Sequence, residues 1–201
     1  MLEDSSGMSP ALSRSTIRRK IVGVDDGAFH FRRGVDASAV IVAVLFDGSR
    51  ISAARIGRIE VDGTDANSVL RALLKPLAYE VVMLSGISFG GFNLVDIKHL
   101  SAEIGKPVIA VIGERPNNIA VRRALRGHFE DWKSRWQMVR NAGSLYSCKS
   151  FRREPEVYFE VKGGSPSLAR KLITSSSTIS RLPEPIRVAG LLARGLAPLV
   201  G

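Results

Sequence analysis

Residues 39–61 read AVIVAVLFDGSRISAARIGRIEV, and this stretch decides the fold. Ala39–Phe46 is an unbroken apolar run of strand length, the pattern of a strand covered on both faces. Asp47-Gly48 follows as a hairpin signal, because a type I′ turn needs residues that tolerate positive φ. Arg50–Val61 then returns as a long antiparallel strand with Ile51, Ile56, Ile59 and Val61 at its apolar positions. Their uneven spacing predicts a bulge near Gly57. Upstream, Thr16–Val24 ends in Ile21-Val22-Gly23-Val24, a further strand that runs straight into Asp25-Asp26-Gly27.

Downstream the pattern alternates between helix and strand. Thr64 caps a short helix with Val69, Leu73 and Leu77 inside, bent or ended by Pro76. Tyr79–Leu84 is a fourth strand. Leu94, Ile97, Leu100 and Ile104 mark a helix that stops at Gly105-Lys106-Pro107, and Val108–Ile112 is a central strand. Val121, Leu125, Phe129, Trp132, Trp136 and Val139 form one apolar stripe along a helical stretch from Asn118 to Asn141, with Gly127 as a candidate break. Val157–Val161 alternates as a late strand. Ser167–Ile173 and Ile186–Arg194 read as short helices, the second opened by Pro185. Three antiparallel strands feeding parallel β-α units predict an α/β protein: a mixed five-stranded sheet with helices on both faces and a C-terminal strand/helix extension. This is the ribonuclease-H-like order of elements. Residues 1–15 read as a flexible leader, and 16–201 as a single domain whose basic extension begins near residue 142.

The chain has 201 residues, 45% hydrophobic and 24% charged, an ordinary globular composition. Its longest apolar run, Ala39–Phe46, is far short of the roughly 20 residues of a membrane helix. No signal-peptide core opens it, which points to a soluble, cytoplasmic protein. The single cysteine, Cys148, excludes an internal disulfide and any multi-cysteine zinc or iron–sulfur centre. Charge is distributed unevenly: residues 1–120 carry 14 basic and 13 acidic side chains, whereas 121–201 carry 15 and 6. A basic C-terminal half points to a polyanionic partner, nucleic acid above all. Arg122, Arg126, Lys133 and Arg140 project within about 40° of one another beside the apolar stripe, and with Arg115 upstream they are candidate phosphate contacts. At 6%, aromatics are too few for a base-stacking sheet face.

There is no Walker loop, G-x-G-x-x-G, H-E-x-x-H or C-x-x-C. His30, His99 and His128 are scattered and read as surface or capping residues. The acidic residues are better placed. Asp25 and Asp26 interrupt an apolar strand, where a carboxylate is costly, and Asp62 and Asp65 lie where the third strand meets the first helix. Strand ends of a central sheet bring carboxylates within reach of one Mg²⁺, and phosphodiester hydrolysis uses such clusters. Asp26 and Asp62 precede glycines and read as turn residues; Asp25 and Asp65 read as functional. Gly90-Gly91 before a helix leaves backbone amides open to an anion. Phe89 and Phe92 flank the pair, either to wedge against a base or as two core side chains of a tight turn.

Three stretches carry a resemblance: Gly23-Val24-Asp25-Asp26-Gly27-Ala28-Phe29, Val61-Asp62-Gly63-Thr64-Asp65-Ala66, and Met83-Leu84-Ser85-Gly86-Ile87-Ser88-Phe89-Gly90-Gly91-Phe92-Asn93. Together with Gly105-Lys106-Pro107-Val108-Ile109 and the tail from Leu182 to Ala189, they resemble the archaeal endonuclease-dU-like family, a distant relative of endonuclease V. The resemblance spans about residues 16–195. It implies a ribonuclease-H-like fold and nicking of DNA near a deaminated base such as uracil or hypoxanthine, dependent on Mg²⁺ with Mn²⁺ as the alternative. Asp25 carries over as the first-strand metal ligand and Asp65 as the second carboxylate, both then catalytic. Phe89, Gly90, Gly91, Phe92 and Asn93 form the nucleic-acid loop. The departure is Ser85, where the family usually has Asp. A neutral hydroxyl there removes a charge from the ion's shell, leaving water, Asp26, Asp62 or Asp96 to compensate. Two other readings follow from the same residues: a nucleic-acid-binding protein of this fold that has lost catalysis, and a scaffold whose basic helix faces an acidic protein.

Overall fold

A computed structural model describes residues 19–27 and 37–200. The expected leader and His30 lie outside the described residues. The chain begins with β1 (Lys20–Asp26), β2 (Ser38–Asp47), β3 (Arg50–Glu60), α1 (Ala66–Leu74), β4 (Val81–Leu84), β5 (Ser88–Phe89) and β6 (Asn93–Leu94). It continues through α2 (Ile97–Ile104), β7 (Val108–Ile112), α3 (Asn118–His128), α4 (Trp132–Ala142), β8 (Tyr146–Cys148), β9 (Val157–Lys162), α5 (Pro166–Ser176) and α6 (Glu184–Val200). Among the described residues the main sheet has seven strands rather than five, in the order β3-β2-β1-β4-β7-β9-β8. β1, β2 and β3 pair antiparallel as the hairpin signal predicts, and β4 and β7 add in parallel. The correction comes from the C-terminal segment: β9 joins the sheet antiparallel to β7, and the unanticipated β8 pairs with β9. β8 is only three residues long, too short to carry a period.

Alternation along β1 and β2 builds the layers. Val22, Val24, Ile41 and Ala43 point toward α1 and α2, where they meet Leu70, Leu73, Ile97 and Leu100. Ile21 turns to the other face with Met83, Ile109 and the α5 residues Leu172 and Ile173. Val40, Val42 and Val44 pack beneath α6 on Ala189 and Ala193. Helices therefore cover both faces. Gly23 and Gly27 let α6 lie with its backbone against β1: a Cβ on Gly23 would collide with Pro185, and one on Gly27 would stand 2.5 Å from the Ala193 carbonyl oxygen.

Three local expectations change. The bulge is opposite Leu45 and Phe46, with Ser52 as the extra residue, and Gly57 instead packs flat against Val69 and Leu73. α1 is headed by Asp65 rather than Thr64. The stretch 118–141 is two helices, and the break is not at Gly127, which stays helical, but at Phe129, where the backbone turns extended (φ −131, ψ 129). Of the predicted apolar stripe only Leu125 is fully buried; Val121, Phe129, Trp132, Trp136 and Val139 are half-buried. No helix among the described residues is long and apolar enough to cross a membrane.

Candidate active site

Asp25 and Asp26 close the central strand, and alternation sends their side chains to opposite faces. Asp25 pairs with Val42 on the α6 side, whereas Asp26 pairs with Ile41 on the α1/α2 side. Ser85, just past parallel β4, donates its hydroxyl to Asp25 Oδ1, and the Asp26 amide donates to the same oxygen at 3.0 Å. The other oxygen, Oδ2, occupies the space a side chain on Gly190 of α6 would need. Burial pushes the Asp25 carboxyl up to about 6, with the Asp26 charge adding to the rise and the Ser85 hydroxyl and Arg194 opposing it. Burial also raises Asp26, against a 2.6 Å hydrogen bond from the Gly90 amide to its Oδ2.

The glycine-rich loop is closed from within. Gly90 and Gly91 have φ of +50° and +85°, which glycine alone tolerates in succession, and Asp62 is itself left-handed at +58°. Asp62 and the loop bond reciprocally: its amide donates to the Gly90 carbonyl at 2.7 Å, and its Oδ1 accepts from the Phe92 amide at 2.7 Å. Buried Asn93 accepts from the Ala66 amide at 3.0 Å and donates to the Glu60 carbonyl at 2.9 Å and to Asp65 Oδ1 at 2.5 Å. Asp65 also accepts from the Glu60 amide at 3.2 Å.

These contacts reassign several residues. The Gly90 and Phe92 amides are not open to an anion, because Asp26 and Asp62 take them. Phe89 is fully buried in the α1/α2 core and is not available to a base. Phe92, half-buried, meets Phe129 edge-on at 5.6 Å. Asn93 is a brace for Asp65 rather than a nucleic-acid contact. Asp65 itself heads α1 with its carboxylate bonded by Asn93 and the Glu60 amide, whereas Asp25 faces α6 beside Ser85, so the two carboxylates are held by different partners. Asp96 caps α2, accepting from the Lys98 and His99 amides and from Asn141 Nδ2 at 2.7 Å. Among the described residues no group of three or more His, Cys, Asp or Glu is placed to hold a metal. One more carboxyl, Glu160, is pushed by burial to about 7, but it pairs with Ala110 on the α2 side, away from Asp25.

Two cations at the site carry no sequence signal, since each reads as an ordinary polar position on a helix. Arg135 is buried on α4, with hydrogen bonds to the Phe92 carbonyl at 2.6 Å, the Gly63 carbonyl at 2.9 Å and Asp131 at 2.8 Å. Its guanidinium lies 4.3 Å over Phe129. It thereby fastens the α3–α4 pair to the loops that hold Asp62 and Asp65. The second, Arg194, is on α6 beside Asp25.

The predicted stripe of basic residues is split between the two helices. Arg122 lies 5.8 Å over Trp136 and Arg126 5.4 Å over Trp132, while Lys133 lies 5.9 Å over the same Trp132 ring. Arg140 is exposed on α4, and Arg115 is exposed in the loop after β7. The shared angular position on one helix is therefore corrected to an exposed cation ladder on two half-buried tryptophans. If this ladder meets phosphates, neutralising Arg126 and Lys133 together lowers the log–log salt slope of DNA binding by about 1.8, at roughly 0.9 per lost contact. A salt series on wild type and double variant measures it, and an unchanged slope removes the ladder from the interface.

The fold has known counterparts. The UPF0215 protein of Methanopyrus kandleri is 37% identical over 182 residues, 88% of this chain and 90% of the relative. The crystal structure of a protein of unknown function from Archaeoglobus fulgidus matches with a TM-score of 0.77 at 28% identity, covering 91% of this chain and 99% of the other. Endonuclease V from Ciona intestinalis, crystallised with a 24-mer DNA containing an inosine followed by a ribo-adenosine, matches with a TM-score of 0.56 at 15% identity, over 91% of this chain and 87% of the other. At that identity the last likeness is one of fold. The family model for endonuclease dU matches residues 18–197, so the chain belongs to the endonuclease dU family.

Proposed function

We propose that the protein is a nuclease acting on DNA at deaminated bases, uracil or hypoxanthine, with Asp25 as its central carboxylate. The observation that carries the reading is the Asp25–Ser85 contact at the ends of two parallel central strands, in a member of the endonuclease dU family. Family membership and the inosine-containing DNA held by the endonuclease V counterpart support the substrate class. The antiparallel triplet β3-β2-β1 continued by parallel β4 and β7 supports the ribonuclease-H-like assignment.

The donor set fits a Mg²⁺ or Mn²⁺ held by Asp25 with Ser85 and water, since Mg²⁺ keeps several waters and needs only one or two carboxylates. Asp65 is given no ligand role in this set: it heads α1, and its carboxylate braces the loop through Asn93 and the Glu60 amide. When bound, such an ion supplies activated water and offsets charge on the leaving oxygen. The chain's own contribution is orientation. Ser85 fixes the Asp25 rotamer, α6 excludes water from one side of it, and Asp26 holds the glycine-rich loop by the Gly90 amide.

Ser85 also favours a second reading, binding without cleavage, because one charge is missing where the family pattern has Asp. Incubating a uracil- or hypoxanthine-containing duplex with Mg²⁺, against binding of the same duplex in chelator, separates the two: nicking supports the nuclease, and binding without nicking supports the second reading. Ser85→Asp is expected to raise Mg²⁺ affinity and cleavage together, because Mg²⁺ prefers charged oxygen ligands. Isothermal titration with Mg²⁺ checks the first and a nicking assay the second. No gain in either means that position 85 does not border the ion.

A further inference from the structure

The last helix brings a free cation to the acidic end of β1. α6 carries two arginines with opposite fates. Arg187 is fully engaged, bonding Glu184 through Nε at 2.9 Å and Nη2 at 2.7 Å. Arg194 makes no hydrogen bond and no ion pair among the described residues, and it is exposed. Its position is nonetheless fixed. Gly27 of β1 lies against the carbonyl of Ala193, the residue immediately before it. One turn earlier, Gly190 leaves a gap that Asp25 Oδ2 fills, and Arg194 Nη1 comes within 3.0 Å of where a Cβ at 190 would stand. The i, i+4 spacing puts Gly190 and Arg194 on one face of the helix, so the guanidinium stands over the carboxylate end of the central strand.

We propose that Arg194 is a phosphate-binding residue of this site, taking a phosphodiester oxygen of nucleic acid bound at the Asp25 end of the sheet. The proposal rests on the DNA reading above and adds to it a contact that needs no metal. The chemistry is that of the group. A guanidinium presents several N–H donors in a fixed fork that matches phosphate, and this one has spent none of them among the described residues. Two adjacent carboxylates by themselves repel a phosphodiester; an unpaired arginine beside them offsets that repulsion while keeping donors for the ligand. The alternative, that Arg194 serves only as a counter-charge to Asp25 and Asp26, predicts that Arg194→Lys, which keeps the charge, recovers the full wild-type affinity, and that result overturns the proposal.

The experiment is a salt series of fluorescence-anisotropy titrations with a uracil-containing duplex in chelator, on wild type, Arg194→Gln, Arg194→Lys and Lys75→Gln. Lys75 is an exposed cation just past the far end of α1, away from the acidic edge. Arg194→Gln is expected to weaken binding about tenfold, the scale of one charge-assisted contact, and to lower the log–log salt slope by about 0.9. Arg194→Lys keeps the slope but recovers only part of the affinity, and Lys75→Gln matches wild type. Urea unfolding midpoints equal to wild type establish that the variants are folded, as expected for exposed positions. Wild-type affinity and slope in Arg194→Gln overturn the proposal alone, as does an equal loss in Lys75→Gln, which makes the effect one of net charge. A wild-type protein that does not bind the duplex in chelator overturns the proposal and the DNA reading together.

Discussion

Asp25→Asn is expected to lose at least about 10²-fold in cleavage, the scale on which single electrostatic groups act in a transition state, and yet to be more stable than wild type at pH 8. The two effects share one cause. Burial lifts the folded-state pKa of Asp25 from 3.8 to about 6, so the folded protein holds a charge that it disfavours. For a raised carboxyl the stability contribution is fully present below the unfolded value near 3.8 and is lost as pH rises through about 6. Asparagine does not ionise and escapes that loss, while its side-chain oxygen still accepts from Ser85. The gain at pH 8 is about 3 kcal/mol, and it shrinks toward zero as pH falls through 3.8, where Asp25 becomes protonated in the unfolded state as well. Urea unfolding at pH 4 and pH 8, with a nicking assay on the same preparations, measures both. A variant less stable than wild type at pH 8 would mean that the carboxylate is held comfortably by its surroundings. A functional carboxylate stored at a cost in stability is the ordinary trade at active sites.

What could be read from the chain divides by range of interaction. β7 was legible to the residue, because an apolar run ended by Gly105-Lys106-Pro107 on one side and Gly113 on the other leaves no freedom. β2 and β3 were legible because the hairpin needs a glycine, but the turn residues are Gly48-Ser49 between paired Asp47 and Arg50, with Gly48 alone at positive φ (+62°), rather than the type I′ Asp47-Gly48 expected. The split of 118–141 was not legible. The helical period continues in phase across residues 129–131, and the break is stabilised by contacts from elsewhere: Phe129 on Phe92, and Arg135 on the carbonyls of Gly63 and Phe92. The glycine-rich loop shows the same limit. Its positive φ angles were readable from Gly90-Gly91, but the fate of its amides was not, since their acceptors lie 64 residues away at Asp26 and 30 away at Asp62. The cost of Asp25 was legible, because a carboxylate at the end of a buried strand is costly wherever it points. The partners of Asp65 were not, because they come from Asn93, 28 residues away, and the Glu60 amide.

The largest stability loss is expected at Arg135, the residue that reading missed. Arg135→Met keeps most of the stem volume and the contact with Phe129, but removes the guanidinium that bonds the Phe92 carbonyl at 2.6 Å and the Gly63 carbonyl at 2.9 Å. Both acceptors lie at a junction from which the new apolar side chain excludes water, and each such charged hydrogen bond contributes about 1.5–3 kcal/mol. A total loss of about 3 kcal/mol follows, or roughly 9 °C in melting temperature for a chain of this size. Its ion-pair partner is the control: the Asp131 side chain is 44% exposed, so Asp131→Ala is expected to cost under about 1 kcal/mol. The inequality matters because it separates two roles for Arg135, an ion-pair partner and a strap between α4 and the active-site loops. As a strap its loss also frees Phe92, whose amide is what Asp62 holds, so hydrogen exchange at the Phe92 amide should speed up in Arg135→Met and stay slow in Asp131→Ala. Equal melting temperatures for the two variants, or unchanged exchange at Phe92, would reduce Arg135 to an ordinary ion pair and leave the loop held by its aspartates alone.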